Sequence, residues 1–270
     1  MKKRLFLFFT IIPIIAFGQE DYALVQEVPY RDTADTYCQE RCVLDVYYPT
    51  RQTDVPVVIW FHGGGLVGGN KFIPDSLLNS GLVVVAANYR FMSQVPIEEC
   101  IRDAAAVVAW VFEHASEYNG DTHRIIVAGH SAGGYLTSMI GLDKRWLAPY
   151  LIDPDSLWCL APYSGQAVTH FEYRRRQGVS ELQPTLNDLA PLAHLRTGIP
   201  PMLIISGDRE KELYGRYEEQ AYFWRMLRLN GNEQTELYEL KGYDHGQMAN
   251  PAHKILKEWI GMNARRAIEE

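Results

Sequence analysis

Cysteine is scarce in this chain. Across 270 residues there are four, Cys38, Cys42, Cys100 and Cys159, and none stands in a Cys-x-x-Cys or Cys/His pair at ligand spacing. That disfavours a structural zinc site, and no other metal or organic cofactor is implied. Dense positive charge is also scarce. Beyond the N-terminal Lys2-Lys3-Arg4, Arg174-Arg175-Arg176 is the one compact basic run, in a chain of formal net charge −7. An acidic protein repels nucleic acid and anionic lipid, which excludes both as expected partners. Internal repeats and low-complexity tracts are missing, so solenoids and disordered arrays are excluded. The run "LFLFFTIIPIIAFG" at residues 5–18 is short for a bilayer span and is broken by Pro13, which argues against stable membrane insertion.

What is present at the N-terminus has another reading. Lys2, Lys3 and Arg4 precede the apolar run, and Ala16-Phe17-Gly18 makes a small-x-small site. This pattern predicts a secretory signal peptide over residues 1–18, cut after Gly18, and a secreted or periplasmic product. No cysteine follows the run, which argues against a lipid anchor. Residues 19–270 are then expected to form one domain, long enough to bury a large core without disulfide staples. Export permits disulfides, and Cys38 and Cys42 flank a "QER" that could turn a hairpin and bring them together. Cys100 and Cys159, in apolar patterns, read as buried free thiols.

Along the chain, apolar β-branched runs alternate with helical patterns. Strands are predicted at 43–49, 55–61, 82–89, 124–130, 157–163, 201–207 and 235–240. Several are nearly continuous in apolar residues, as buried parallel strands are. Helices are predicted in "PIEECIRDAAAVVAWVFEHASEYNG", stopped by Gly120, in "YGRYEEQAYFWRMLRLNG", stopped by Gly231, and in "PAHKILKEWIGMNARRAI". The alternation predicts a doubly wound α/β sheet. Residues 164–200 break the rhythm, being irregular and rich in His, Arg, Pro and Gln, and read as a lid-like insertion.

The chemistry is concentrated in "GHSAGG" at 129–134, which follows the strand "RIIVA" and precedes the helical "YLTSMIGL". A nucleophile on a sharp strand-to-helix turn needs small neighbours, so Gly129 and Gly133 flank Ser131 for a steric reason. The helix after it aims backbone N–H groups and a positive dipole end at a reacting carbonyl. Of eight histidines, His245 follows the last strand candidate between Gly242 and Gly246, on the edge of the sheet where Ser131 stands, and is the expected base. His114, His123 and His253 read as surface residues. His62 and His130 flank the glycines and read as braces. His170 and His194 belong to the insertion. The third partner should be a carboxylate between Ser and His in the chain, and "GDRE" at 207–210 offers both Asp208 and Glu210.

With these motifs the chain resembles the α/β-hydrolase superfamily, in particular its hormone-sensitive-lipase-like and carbohydrate-esterase-like serine carboxylesterases. The resemblance rests on "HGGG" at 62–65, "GHSAGG" at 129–134, "GDRE" at 207–210 and "DHG" at 244–246. It implies an α/β-hydrolase fold, a mostly parallel twisted sheet with helices on both faces and a small insertion before the acid-bearing strand. It implies an acyl-enzyme mechanism without a cofactor, with the oxyanion held by Gly64, Gly65 and Ala132. The common register G-x-x-D puts the acid at Glu210, with Glu in place of Asp, which keeps Asp208 as the alternative. Gly68 and Gly69 are expected to give slack where the loop leaves the site. Little chain precedes the first strand candidates, which argues against the long N-terminal cap and wide acyl tunnel of many lipase-like relatives. The resemblance points to short-acyl or feruloyl esters, such as acylated carbohydrates, with Tyr163, His170 and Phe171 shaping the substrate site. An amide hydrolase (arylformamidase or peptidase) could use the same triad, and a non-catalytic binding protein could keep the same fold.

Two nucleotide readings of the glycines fail on context. Gly63-x-Gly65-x-x-Gly68 matches a dinucleotide fingerprint, but Asn88 stands where the next strand should end in an acidic residue. A Walker loop fails because Phe72 follows Lys71.

Overall fold

A computed structural model describes residues 21–269, and the expected signal peptide at 1–18 lies outside the described residues. The apolar runs form one eight-stranded sheet. In chain order the strands are β1 (Tyr22–Pro29), β2 (Val43–Pro49), β3 (Val55–Phe61), β4 (Val83–Ala87), β5 (Gly120–His130), β6 (Cys159–Tyr163), β7 (Met202–Gly207) and β8 (Thr235–Leu240). Their spatial order is β1-β2-β4-β3-β5-β6-β7-β8. β2 is antiparallel to both β1 and β4, and every later pairing is parallel.

Helices α1 (Thr36–Arg41), α2 (Ile97–His114), α3 (Ala132–Leu142), α4 (Phe171–Arg176), α5 (Arg216–Leu229) and α6 (Ala249–Glu269) complete the chain. The central strands are apolar at consecutive positions because both faces are covered. In β3, Val57, Ile59 and Phe61 join a core that includes α2, α3 and α5, while Val58 and Trp60 join a second core beneath α6. Among the described residues, no helix is long and apolar enough to cross a membrane.

Two N-terminal elements escape the sequence pattern. β1 is an edge strand, largely exposed, with a register shift between Val25 and Val28 and Glu27 at φ 56°, so it lacks a continuous apolar run. The "QER" between Cys38 and Cys42 is no hairpin turn. Asp35 caps the N–H groups of Tyr37 and Cys38, and the segment winds into the single helical stretch α1.

Charged side chains hold the 164–200 insertion together and pin it to α5. Within it, Arg174 donates to the carbonyls of Thr169, Ser180, Glu181 and Gln183. Glu219 on α5 accepts from the N–H groups of Ala167 and Val168, and Arg216 donates to the Ser164 carbonyl. An Arg fork gathering several carbonyls replaces the backbone pairing that an irregular segment lacks.

Candidate active site

The strand-to-helix turn at Ser131 owes its shape to glycine. Helix α3 starts directly after β5, so its first turn presses onto the ends of β3 and β6. A Cβ at Gly129 would lie 2.4 Å from the Gly133 carbonyl carbon, and one at Gly133 would lie 2.0 Å from the Phe61 oxygen. One at Gly134 would lie 2.8 Å from the Tyr163 oxygen. Ser131 is forced to φ 56°, ψ −114°, a region disfavoured for a residue with a side chain. Its N–H donates to the Tyr163 carbonyl at 2.8 Å, which ties the turn to β6. Ser131 sits at the N-cap position of α3 but does not cap it. The hydroxyl is therefore free for another partner.

That partner is His245. The ring comes from the loop after β8, where Asp244 accepts from the N–H groups of Gly246 at 3.0 Å and Gln247 at 2.8 Å. His245 Nε2 lies 2.9 Å from Ser131 Oγ, and Nδ1 lies 2.8 Å from Glu212 Oε2. The arrangement fits Ser O–H donating to Nε2 and Nδ1–H donating to the carboxylate. Glu212 also accepts from the N–H of Gly207 at 3.0 Å, the N–H of Leu213 at 3.1 Å and the Ser164 hydroxyl. Burial opposes its ionisation, but His245, Ser164 and Gly207 outweigh it and bring the carboxyl down to about 2. Behind the base, His130 Nε2 meets the His245 carbonyl at 2.7 Å. Desolvation, and then the neighbouring His245, lower the His130 pKa to about 4, so it stays neutral and can donate that bond.

With this geometry in place, the chain can be set beside known proteins. A family model described as BD-FAE matches residues 44–148. Esterase LipI of Mycobacterium tuberculosis is 37% identical over 108 residues, 37% of this chain and 34% of LipI. The chain thus spans about a third of the length of the curated relatives it matches first. Thermogutta terrifontis esterase 2 phosphorylated by paraoxon superposes with TM-score 0.67 at 23% identity, covering 87% of this chain and 91% of that one. A truncated carbohydrate esterase from gut microbiota superposes with TM-score 0.73 at 17% identity, covering 91% of this chain and 98% of that one. The fold is that of the α/β-hydrolases.

In this fold the carboxylate that meets His245 is neither Glu210 nor Asp208, and that expectation is corrected. Asp208 staples the loop, its carboxylate accepting from the N–H groups of Glu210 at 3.0 Å and Gly242 at 2.7 Å. The Lys211 and Glu212 N–H groups both turn back to the Asp208 carbonyl, at 2.8 and 2.9 Å. This helical turn leaves Glu210 exposed and swings Glu212 back over Gly207. The G-x-x-D register stops at Glu210 and so missed Glu212; the one signal in the sequence was a carboxylate one helical turn after Asp208.

Two of the three expected substrate residues are also corrected. The Tyr163 side chain is wholly buried beneath the sheet, its ring 5.6 Å from Trp60 and 5.3 Å from His253. It alternates away from the site, leaving only its carbonyl for Ser131. His170 is buried between Tyr135 and Phe171, and its Nδ1 accepts from the Glu172 N–H as the cap of α4. His253, expected at the surface, is buried against Trp60. Phe171 lies beside the glycine loop, where a Cβ on Gly65 would be 3.4 Å from its Cζ.

The glycine loop follows β3 and wraps beside the elbow. A Cβ on Gly63 would come within 3.3 Å of Ser131 Cβ. Gly64, at φ 111°, accepts at its carbonyl from Val67 N–H (3.0 Å) and Gly68 N–H (3.1 Å), closing a tight turn. Neither the Gly64 nor the Gly65 N–H meets a backbone carbonyl among the described residues, and the Ala132 N–H opens helix α3. Gly69 supplies no slack, contrary to expectation. At φ 105° it packs so close that a Cβ would lie 2.4 Å from His62 Nδ1. His62 is the brace expected of it, its ring stacked on Tyr89 at 4.5 Å and its Nδ1 2.6 Å from the Gly63 oxygen. No group of metal-ligating side chains occurs among the described residues.

Proposed function

We propose that the protein is a serine carboxylic-ester hydrolase. The observation that carries this reading is the continuous relay of Ser131, His245 and Glu212 at a strained elbow. Ser131 Oγ attacks the ester carbonyl while His245 Nε2 takes its proton, and Glu212 holds the ring and stabilises the imidazolium. The oxyanion rests on the N–H groups of Gly64, Gly65 and Ala132, each donor contributing on the order of 3 kcal/mol to the transition state. His245 then protonates the departing alcohol, and water releases the acyl group by the reverse path. The similarity to proteins named esterases supports the same reaction class.

For substrate we propose a short-acyl or feruloyl ester, such as an acylated carbohydrate. Phe171 standing over Gly65 narrows the space beside the glycine loop, and the likeness to a carbohydrate esterase points the same way. The basic, apolar, small-x-small leader supports export, cleavage after Gly18 and a secreted or periplasmic enzyme. The complete relay favours an enzyme over a binding protein of this fold.

Burst release of nitrophenol from nitrophenyl acetate tests the chemistry. The protein should show a stoichiometric burst, and Ser131→Ala should abolish it with a loss on the order of 10⁵–10⁶ in kcat. A burst that survives Ser131→Ala overturns the assignment. On a panel of esters, faster turnover of long-chain acyl esters than of acetyl- or feruloyl-sugars overturns the substrate class alone.

A further inference from the structure

Cys38 and Cys42 take no part in the relay. They sit at the two ends of one helical turn, with the Cys42 N–H donating to the Cys38 carbonyl at 2.7 Å. Their sulfurs are 3.2 Å apart, and both side chains are buried, 3% and 1% exposed. Residues four apart on a helix have Cα atoms about 6 Å apart, inside the range a disulfide spans. Cys42 is also the residue at which α1 ends, at φ −85°, ψ 60°. Its backbone is therefore outside the helical repeat and can accommodate the remaining closure of about 1 Å to a bonded S–S distance.

One of the three residues enclosed by this pair, Arg41, touches the functional site. Arg41 is buried, and its guanidinium donates to the Asn70 side chain at 2.9 Å, the Gly69 carbonyl at 3.2 Å and the Tyr89 carbonyl at 3.3 Å. It also lies over the Phe91 ring at 4.1 Å. Gly69 packs against His62 and Tyr89 stacks on it, so Arg41 is the N-terminal segment's grip on the glycine loop.

We propose that Cys38 and Cys42 form a disulfide in an oxidising environment, a staple across the turn that holds Arg41 under the glycine loop. The oxidant is a small-molecule disulfide or a dithiol oxidase. The Cys38 thiolate attacks one oxidant sulfur and expels the other as a thiolate. The Cys42 thiolate then attacks Cys38 Sγ and expels the second oxidant thiol. Two electrons and two protons pass from the pair to the oxidant. With three residues between the thiols, closure is local and needs no tertiary structure. Burial pushes the Cys42 thiol pKa well up in the folded protein, so the bond forms while the chain folds and is afterwards shielded from reductant.

Tryptic mapping reads this directly, because cleavage after Arg41 separates the two cysteines. The protein is refolded from denaturant in a mixture of oxidised and reduced glutathione, then alkylated under denaturing conditions. The expected result is peptides 32–41 and 42–51 joined until reduced, with label only on Cys100 and Cys159. Label on all four cysteines, or a bridge from either thiol to Cys100, overturns the proposal. Reducing the stapled protein should lower Tm by about 5 °C and speed amide exchange over residues 62–71 several-fold. Cys38→Ala should show neither response to reductant. Equal responses in Cys38→Ala overturn the staple as their cause, and the mapping on the unsubstituted protein stands whether or not that variant folds. All three measurements are independent of the esterase reaction.

Discussion

The nucleophile end and the acid end of the relay meet at the carboxyl edge of the same sheet, yet they are held by different means. At Ser131 the constraint is steric. Three glycines let α3 pack directly onto the backbone of β3 and β6, and no other residue fits at any of them. At Glu212 the constraint is polar. A helical turn hung from Asp208 brings the carboxylate to His245, and three hydrogen bonds from Gly207, Leu213 and Ser164 fix it there. The steric constraint leaves a signature in the sequence, glycines at fixed spacing around Ser131. Polar constraints assembled across a loop leave none, since any nearby Asp or Glu would look the same. Each of the following measurements bears on one end of this contrast.

After the loss of Ser131 itself, the largest effect is expected at the acid end. Glu212→Ala should cost on the order of 10⁴ in kcat, as the base loses its orientation and its counter-charge. Glu210→Ala, on the exposed side of the same turn, should stay within about twofold. Steady-state kinetics on nitrophenyl acetate check both, and the reverse ranking would return the acid to Glu210.

Next in size is a pH effect on stability, carried by histidines buried around the relay. Burial lowers the pKa of His62 to about 4, and of His170 and His253 to about 3. An unfolded histidine protonates near 6.5, so below that pH the unfolded state binds more protons. Stability should therefore fall as pH drops from about 6.5 toward 4, by up to about 1.4 kcal/mol per pH unit for each histidine. Glu212 acts lower: its contribution is present above about 4.5 and lost as pH falls toward 2. Urea melts at several pH values would show this. An unfolding free energy flat between pH 6.5 and 5 would mean these rings are not held neutral.

A smaller loss is expected from Gly133→Ala, about 3 kcal/mol, because a Cβ 2.0 Å from the Phe61 oxygen forces backbone to move. Thermal melts measure it, and a neutral result would mean the elbow is less tightly packed than described. Smallest is Ser164→Ala. It removes one of the Glu212 bonds while His245 stays in place, and about a tenfold drop in kcat with little change in KM is expected. Ser164 itself sits at φ 44° with its carbonyl held by Arg216, so the seryl backbone should persist in the variant.

Much of the fold is legible in the sequence. β2, β3 and β8 begin and end where the sequence places them; β3 is the plainest case, apolar at every position because both of its faces are covered. β1 was not legible, since an exposed edge strand needs no apolar continuity, and α1 was hidden behind a spacing that suits a hairpin equally well. At the site, Ser131 and His245 were readable from their glycine neighbours and their place in the chain. Tyr163 was misplaced for want of strand phase: whether its ring or its carbonyl faced the serine depends on which residue of β6 pairs with His130.

What the sequence by itself determined is the nucleophile's turn. The clash that demands Gly129 lies with Gly133, four residues on, so the need for small residues is written at fixed places around Ser131. What only the tertiary structure decided is which carboxylate completes the relay. That choice depends on the rotation of one helical turn, set by Asp208 reaching Gly242 across the sheet edge. A contact between residues thirty-four apart selects Glu212, and no pattern within "GDREKE" contains it.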